Sequence, residues 1–331
     1  MKVWDLHCDT LYEIRNAVKR GEEIDFENSH LQIDLNRMRR GDYLLQCFAC
    51  YVNLEEERHN PLKACMEMID IFYALLERWP EELMQIAAAE DIRKLRSTGK
   101  VGCMLTVEEG GVCLGDVRIL RDLYRLGVRM MTFTWNYRNE LGNPNVVPDS
   151  VDAVWPCAPV TDAGLTQTGF AFLEEMERLH MIADVSHLSD AGFWDVASHA
   201  RRPFAASHSN ARSVAGHVRN LTDEMIRAMG ERGCLIGLNY CPAFADPATG
   251  SGHEISRIMD LAKHADHIMD IGGEDILALG SDFDGITGEL EITGAQDVQK
   301  LADGLRREGF SERVIEKIFY SNAMRFFEEN L

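Results

Sequence analysis

The sequence predicts an α/β fold, a (β/α)8 barrel of the TIM type with a helical C-terminal tail. Eight short apolar runs carry β-forming residues, and segments with helical periodicity separate most of them. The runs are continuously apolar, as strands of a parallel sheet covered on both faces must be. No Gly-x-Gly-x-x-Gly opens a helix after the first run, which argues against a dinucleotide-binding sheet. The predicted strands are Val3–Leu6, Leu44–Val52, Val101–Val107, Arg129–Thr134, Met181–Ser186, Pro203–Ser207, Cys234–Tyr240 and Ile276–Ser281.

Helices between these strands are predicted from the spacing of apolar residues, and two of them also from capping residues, Ser189 and Thr222. The last two predicted helices form the C-terminal tail. No linker-like change of composition divides the chain, so residues 1–331 are expected to form one barrel domain. The predicted helices are Pro61–Trp79, Val117–Leu126, Leu165–Leu179, Ser189–His199, Thr222–Arg232, His253–Ile271, Ala295–Glu308 and Ser311–Asn330.

One segment, Asn136–Gly164, is long, irregular and rich in Asn, Pro and Gly. It exceeds the ordinary length of a connection between secondary-structure elements, and loops of that length commonly serve function. We therefore predict that this segment covers a substrate.

Charge and cysteine content restrict the partners and the compartment. The chain has 54 acidic and 34 basic residues, a formal charge of −20, which disfavours nucleic acid and anionic membranes as partners. It shows no basic, apolar leader and no apolar run of the roughly 20 residues that span a bilayer, so a cytoplasmic protein is expected. The nine cysteines are an odd number, which favours reduced thiols in the core. We interpret Cys47 and Cys50, a C-x-x-C pair, as packing residues.

His7 and Asp9 stand where the first strand is expected to end. Being two residues apart, they point to the same face of a strand, and an imidazole and a carboxylate can both bind one divalent metal ion. An isolated pair of this kind is more often a strand-capping His followed by a turn Asp. Its meaning therefore depends on the rest of the chain.

Polar residues that follow four other predicted strands change this interpretation. In a (β/α)8 barrel the carboxyl ends of all strands meet at one rim, where functional groups gather. Two divalent ions joined by a carboxylate need about three imidazoles, two carboxylates and one more carboxylate for the bound water. We therefore predict a binuclear metal site. The residues that supply it are His7, Asp9, Glu108 or Glu109, His187, His208 and Asp282.

The remaining histidines show no comparable pattern. His264 and His267 are three residues apart and share one face of a predicted helix, as zinc-binding pairs can. They lie in a polar region away from the rim, and we expect both to face solvent.

Several motifs in a fixed order resemble the membrane dipeptidase (renal dipeptidase) family of zinc barrels over nearly the whole chain. Each motif alone is a weak signal, but the combination is specific. The motifs are Asp5-Leu6-His7-Cys8-Asp9-Thr10, Val107-Glu108-Glu109-Gly110-Gly111, Asp184-Val185-Ser186-His187, Pro203-Phe204-Ala205-Ala206-Ser207-His208-Ser209, Val218-Arg219-Asn220 and Gly280-Ser281-Asp282-Phe283-Asp284-Gly285.

The resemblance implies a role for each matching residue. A glutamate after the third predicted strand would bridge two zinc ions, and Asp282 would hold the bridging water and transfer protons. Arg219 would bind the free carboxylate of a dipeptide, which suits a bidentate guanidinium. The other implied ligands are His7 and Asp9 for one zinc ion, and His187 and His208 for the other.

The chain departs from the family pattern at the bridging glutamate. The family commonly has one Glu before two glycines, whereas this chain has Glu108-Glu109. Counting from the strand selects Glu108 as the bridging ligand, and counting back from Gly110 selects Glu109. We choose Glu108.

A second departure concerns the group that assists catalysis. The animal enzymes place a His that polarises the scissile carbonyl where this chain has Trp135. Asn136 and Asn139 are the candidates for a replacement hydrogen-bond donor. We predict that Trp135 and Asn136 contact the substrate.

The residues and the resemblance together predict a binuclear zinc dipeptidase with two Zn²⁺ ions per chain, although another divalent metal is open. A metal-bridging hydroxide would attack the peptide bond of a dipeptide, and dipeptides with a D-residue at the second position are included as candidates. The alternative is a related barrel hydrolase acting on another amide or a lactone, which Trp135 keeps open. The expected partner is a small dipeptide substrate, and a homodimer is left open.

Overall fold

The computed structural model describes residues 1–145 and 158–331. Eight parallel strands form its centre. They close into a ring because the strands Tyr43–Tyr51 and Val101–Glu108 pair along seven residues. Every predicted strand is one of these eight, so the predicted (β/α)8 barrel is confirmed. In chain order the described strands are β1 Val3–Asp5, β2 Tyr43–Tyr51, β3 Leu83–Gln85, β4 Val101–Glu108, β5 Val128–Thr132, β6 Ile182–Asp184, β7 Ala205–Ala206, β8 Leu235–Leu238, β9 Ile255–Ser256, β10 Leu277–Leu279 and β11 Glu289–Leu290.

The ring runs β2-β1-β10-β8-β7-β6-β5-β4 and returns to β2. Three short strands lie outside it, and the sequence did not predict them. Strand β3 pairs with the first residues of β4, where Leu83 is aligned with Val101. Strands β9 and β11 form a separate two-stranded sheet. These strands are two or three residues long, too short to show an apolar run or an alternation.

All eight predicted helices are present, although one begins later than expected. Helix α10 starts at Ile258 rather than His253, because Ile255 and Ser256 pair with β11. None of the described helices is long and apolar enough to cross a membrane. The described α-helices are α1 Thr10–Lys19, α2 Leu35–Gly41, α3 Pro61–Arg78, α4 Ala89–Leu95, α5 Val117–Arg125, α6 Gln167–Leu179, α7 Asp190–His199, α8 Asp223–Glu231, α9 Pro242–Ala245, α10 Ile258–Gly272, α11 Gln299–Arg307, α12 Glu312–Glu316 and α13 Asn322–Asn330, with a π-helical turn at Lys317–Ser321 and 3-10 turns at Gly110–Cys113 and Ala295–Asp297.

The two predicted N-terminal caps are formed. The hydroxyl of Ser189 accepts a hydrogen bond from the backbone N–H of Gly192 at 2.9 Å, and that of Thr222 accepts one from Met225 at 3.3 Å. Each bond satisfies a backbone donor that a helix start leaves free. The caps fix the starts of α7 and α8, which follow the loops after β6 and β7.

The barrel interior is filled by apolar side chains and is closed at its amino end by the C-terminal tail. The ring of Trp4 stacks on Phe327 of α13 with centroids 5.4 Å apart, so the predicted helical tail seals the end remote from the strand carboxyl ends. The buried polar side chains of the rim lie at the opposite end, where the strands have their carboxyl ends. The interior layer includes Trp4, Leu6, Leu45, Cys47, Met104, Met130, Ile182, Ala205, Leu235 and Ala278.

The described cysteines are free thiols, as the sequence indicated. Cys47 and Cys50 are both buried, and they belong to different apolar clusters because residues three apart on β2 point to opposite faces. Both therefore serve packing, as predicted.

Of the predicted substrate-covering segment Asn136–Gly164, residues 146–157 lie outside the described residues. Its described ends are anchored near α7: Pro144 forms a β-bridge with Leu188, and the side-chain amide of Asn145 donates to Asp190 at 2.7 Å. The substrate-covering role stays a prediction.

Strands β7, β8 and β10 approach one another so closely that two positions admit only glycine. A Cβ placed on Gly237 or on Gly280 would lie 1.9 Å from the carbonyl oxygen of Ser207. Any side chain there would force the strands apart, and the cost would resemble that of an overpacked core.

We expect Gly237→Ala to lower the free energy of unfolding by about 1–3 kcal/mol. Thermal unfolding followed by circular dichroism measures this loss. Gly216→Ala is the control, because a Cβ at that exposed position meets nothing within 4 Å; it should change stability by less than about 0.5 kcal/mol. Equal unfolding midpoints for the two variants would contradict the close approach.

Candidate active site and metal centre

The six predicted metal-site residues lie at the carboxyl ends of five ring strands, which meet at one rim of the barrel. All six side chains are buried there. Two of them follow their strands in a left-handed backbone conformation, His187 with φ 70° and Asp282 with φ 65°. Non-glycine residues rarely adopt positive φ, and such strain is typical of sites where the fold holds a side chain in place. The six are His7 and Asp9 after β1, Glu108 at the end of β4, His187 after β6, His208 after β7 and Asp282 after β10.

Glu108 lies between the imidazoles of three other strands. Its Oε2 is 3.2 Å from Nε2 of His7, and its Oε1 is 2.9 Å from Nε2 of His187 and 3.6 Å from Nε2 of His208. The two oxygens of one carboxylate thus face different imidazoles. This is the arrangement in which a carboxylate can bind two cations at once.

Asp9 and Asp282 complete the set on the His7 side. Oδ1 of Asp9 is 3.6 Å and Oδ1 of Asp282 is 3.8 Å from Nε2 of His7. The donor atoms of two groups, His7 with Glu108 and His208, and His7 with Asp9 and Asp282, each lie within 4.8 Å of one another. Nε2 of His7 and Oδ1 of Asp9 are buried and make no hydrogen bond. Buried imidazole and carboxylate donors of this kind fit a divalent metal ion.

Hydrogen bonds at Nδ1 of His187 and His208 direct both Nε2 atoms to the rim, where they lie 2.9 Å apart. Nδ1 of His187 donates to Oδ1 of Asn136 at 2.8 Å, and Nδ1 of His208 donates to the hydroxyl of Ser207 at 2.8 Å. That hydroxyl in turn donates to Oδ2 of Asp184. Partners of this type fix the tautomer and the ring orientation of metal-binding histidines.

Asp184 and Ser207 belong to two of the motifs, and their supporting role toward His208 was not predicted from the sequence. Asp184 also accepts from the hydroxyl of Thr132 at 2.8 Å and from the backbone of Ser186 at 3.0 Å. The sequence did contain a sign of this role: Asp184 is a carboxylate at the end of an otherwise apolar strand, and a buried carboxylate needs hydrogen-bond partners.

Burial and mutual charge shift the pKa values of these groups. Burial opposes the charged form of Glu108, but His7 and His187 outweigh it and hold the pKa of Glu108 well below its ordinary value. Burial and the charge of Arg219 lower the pKa of His187 to about 4, so this imidazole is neutral, the form that binds metal. Burial and the charge of Glu108 raise the pKa of Asp9 to about 8. A cation beside Asp9 would favour its ionised form.

Glu109 points away from the imidazoles. Its carboxylate accepts hydrogen bonds from the backbone N–H groups of Gly111 at 2.7 Å and Trp135 at 2.9 Å, and from the side-chain amide of Asn139. Its backbone has φ 110°, which directs consecutive glutamates to different surroundings. Of the two candidates, the structure brings Glu108 to the rim donors.

Trp135 and Asn136 line a cavity of about 340 Å³ that opens onto Asp9, Glu108 and Asp282. At this wall the side-chain oxygen of Asn136 accepts the hydrogen bond from Nδ1 of His187. Asn139, the other candidate donor, is engaged elsewhere, because its amide donates to Glu109 and to the backbone oxygen of Phe133.

Arg219 is buried beside the same rim. Its Nη2 donates to the backbone oxygen of His208 at 3.4 Å, and its guanidinium lies 5.3 Å from the centre of the Phe244 ring. Its Nε has no hydrogen-bond partner, and no described carboxylate comes within ion-pair distance, 4 Å, of the guanidinium. A buried arginine without an anion is costly, so the surroundings favour an anionic ligand.

The expectation that His264 and His267 face solvent is wrong for His264. Its ring is buried, Nδ1 accepts from the backbone of Ala211 and Nε2 donates to the backbone of Ala245, both at 3.1 Å. His267 is half-buried and bonded to Asp223 at 2.8 Å. Helical spacing placed the two on one face but did not show that the loops after β7 and β8 cover His264.

A parallel barrel with imidazoles and carboxylates converging at the carboxyl ends of its strands is typical of metal-dependent hydrolases. The family model for membrane dipeptidase (peptidase family M19) matches residues 1–330. The chain belongs to this family of metallo-dipeptidases and is a hydrolase of peptide bonds.

Two curated relatives are similar over most of the chain. A Klebsiella pneumoniae protein, described as an uncharacterized protein in the pqqA 5' region, is 32% identical over 266 residues, which are 80% of this chain and 96% of that protein. An uncharacterized dipeptidase of Schizosaccharomyces pombe is 29% identical over 99% of this chain and 80% of its own length.

Two solved structures share the fold over the whole chain. A metallo peptidase from Rhodobacter sphaeroides, liganded with a phosphinate mimic of the dipeptide L-Ala-D-Ala, has a TM-score of 0.88 and 25% identity, covering 100% of this chain and 99% of that one. A dipeptidase AC of family M19 has a TM-score of 0.89 and 26% identity, covering 100% and 98%.

Replacement of each neighbouring glutamate should separate their roles. We expect Glu108→Gln to lower the divalent metal bound per folded chain, because an amide is a poor bridging ligand, and Glu109→Gln to leave the metal content unchanged. Elemental analysis by mass spectrometry after gel filtration measures both variants. The reverse result would assign the metal to Glu109.

Proposed function

We propose that the chain is a binuclear zinc dipeptidase, with Glu108 as the bridging ligand. The position of Glu108 carries the proposal, since its two oxygens face His7 at 3.2 Å and His187 at 2.9 Å. Family membership supports a divalent metal, and the donor set suits zinc. The remaining proposed ligands are Asp9 with His7 for one ion, and His208 with His187 for the other.

Two such cations would supply a water of lowered pKa and polarise the scissile carbonyl. The chain's own groups orient the reactants and move the proton. Oδ2 of Asp282 accepts a hydrogen bond from the amide of Asn239 at 3.0 Å, which turns Oδ1 toward His7 at 3.8 Å. From there Asp282 would accept the proton of the attacking water and pass it to the leaving amine, a role suited to a positioned carboxylate.

Arg219 is proposed to bind the C-terminal carboxylate of the substrate. Its guanidinium is buried, lacks a carboxylate partner among the described residues and touches the backbone of His208, one of the proposed ligands. A carboxylate held so close to the reacting carbonyl leaves room for one residue between them, which limits the substrate to a dipeptide.

The proposal includes dipeptides with a D-residue at the second position. The Rhodobacter sphaeroides structure supports this extension, because its ligand mimics L-Ala-D-Ala and its chain is 25% identical to this one over the full length. Trp135 and Asn136 at the cavity wall are proposed to contact the substrate.

A hydrolase of another amide or of a lactone is the second candidate. Trp135 favours this candidate, because the cavity wall has an indole at the position where the animal enzymes of the family have the imidazole that polarises the scissile carbonyl. Asn139 does not replace that imidazole, because its amide donates to Glu109. A cytoplasmic location and a homodimer are further proposals, for which cell fractionation and light scattering are the measurements.

Metal removal tests the proposed reaction. We expect the purified protein to hydrolyse L,L and L,D dipeptides, to lose activity after treatment with a chelator, and to recover it at two equivalents of Zn²⁺ per chain. Chromatography of the released amino acids measures the turnover. Full activity without metal would refute the mechanism, and turnover of lactones or cyclic amides alone would favour the second candidate.

Arg219→Gln should lower kcat/KM for dipeptides by about 10²- to 10³-fold, as expected when one partner of a buried charge pair is removed. The loss should be much smaller for dipeptide amides, which lack the carboxylate. Arg118→Gln, at an exposed position, is the control and should behave like the unaltered enzyme. Equal losses on acids and amides would contradict the carboxylate-binding role.

A further inference from the structure

Aromatic side chains form a continuous wall on one side of the cavity. The ring centroids of Tyr12 and Tyr51 are 4.9 Å apart, those of Tyr51 and Trp135 are 5.0 Å apart, and those of Trp135 and Tyr137 are 5.7 Å apart. The first three residues line the cavity. Edge and tilted contacts hold such rings in place. Aromatic surfaces of this kind attract ammonium and guanidinium groups and pack against the aliphatic stems of Lys and Arg.

Glu13 places a negative charge at the edge of this wall. It is half-buried in the first turn of α1, next to Tyr12, and it lines the cavity. Within residues 1–145 and 158–331 its carboxylate makes no hydrogen bond and no ion pair. By contrast, Asp284 in the same cavity accepts from the hydroxyl of Thr10 and from the backbone of Gln32, both at 2.6 Å. Glu13 is therefore available to a ligand.

The order of strands places the Tyr12 and Tyr51 end of the wall across the barrel mouth from Arg219, whereas Trp135, after β5, lies nearer to β7. Strand β2 ends at Tyr51, and four steps around the eight-membered ring lead from β2 through β1, β10 and β8 to β7, the strand before Arg219. A dipeptide whose carboxylate is bound by Arg219 and whose carbonyl lies near Glu108 therefore extends its N-terminal residue toward the wall.

The side chain of that residue, rather than its α-ammonium, can reach Glu13. The α-ammonium is attached to the carbon beside the scissile carbonyl and so stays close to Asp9 and Asp282. Glu13 is four residues beyond Asp9, about 6 Å farther along the helix. A long side chain lying on the wall covers that distance.

We infer that the wall of Tyr12, Tyr51 and Trp135, together with Glu13, forms a subsite for a cationic side chain on the N-terminal residue, so that the enzyme prefers dipeptides beginning with Lys or Arg. The inference rests on the proposed dipeptidase function and names its substrate class. The phenol of Tyr12 donates to Glu56 at 3.3 Å, which places a second carboxylate behind the wall. The net charge of −20 also attracts cationic substrates.

A series of matched dipeptides tests the subsite with the zinc-loaded enzyme. Lysyl-alanine, norleucyl-alanine and glutamyl-alanine differ in the charge of the first side chain. We expect kcat/KM for lysyl-alanine to exceed that for norleucyl-alanine by about 5- to 30-fold, the sum of a partly exposed ion pair and a cation–π contact. The preference should lie mainly in KM and should shrink at high salt, which screens exposed charges.

Two substitutions of Glu13 and one control locate the effect. Glu13→Gln should lower the ratio of kcat/KM for the lysyl and norleucyl substrates to the about 2- to 5-fold that the cation–π contact alone supplies, and Glu13→Lys should favour glutamyl-alanine instead. Glu23→Gln removes the same charge from an exposed position and should keep the original ratio. A lysyl preference of unchanged size in Glu13→Gln would overturn the role of Glu13.

The results also separate this inference from the proposed function. If the zinc-loaded enzyme cleaves lysyl and norleucyl dipeptides at equal kcat/KM, the cationic subsite is refuted and the dipeptidase proposal stands. If it cleaves no dipeptide at all, both are refuted.

Discussion

The buried carboxylate of Glu108 between imidazoles from three other strands is the contact on which the site depends. A carboxylate at this depth is unfavourable by itself, and His7 and His187 make its charged form stable. The imidazoles are in turn oriented by hydrogen bonds of Asn136 with His187 and of Ser207 with His208. None of these side chains comes from the same strand as Glu108, so the arrangement exists only when the barrel is closed.

The two ends of the barrel divide stability and function between them. At the amino end, Trp4 stacks on Phe327 and the interior is apolar. At the carboxyl end, His187 and Asp282 have positive φ, and buried polar groups face one another. The packed end supplies the stability that lets the rim hold strained backbone and like charges in close contact.

Two sides of the barrel mouth carry opposite charges. Arg219, after β7, is a buried cation without a carboxylate partner among the described residues, whereas Glu13, after β1, is a carboxylate beside aromatic rings. A ligand that has an anionic end and a cationic end would be oriented by both. The reacting carbonyl would then lie between them, near Glu108, so binding and catalysis would share one geometry.

The sequence by itself determined the eight ring strands, the C-terminal tail and five of the six rim residues, because apolar runs and the polar residues that end them are local features. The folded chain decided which of the two consecutive glutamates contacts the imidazoles, because Gly111 and Trp135 hold Glu109 away from them. It also decided that His264 is buried, because loops that follow two other strands cover it. Likewise, only the folded chain shows that Asp184 supports His208 through Ser207. Side-chain direction at strand ends depends on partners distant in sequence, and local patterns do not contain them.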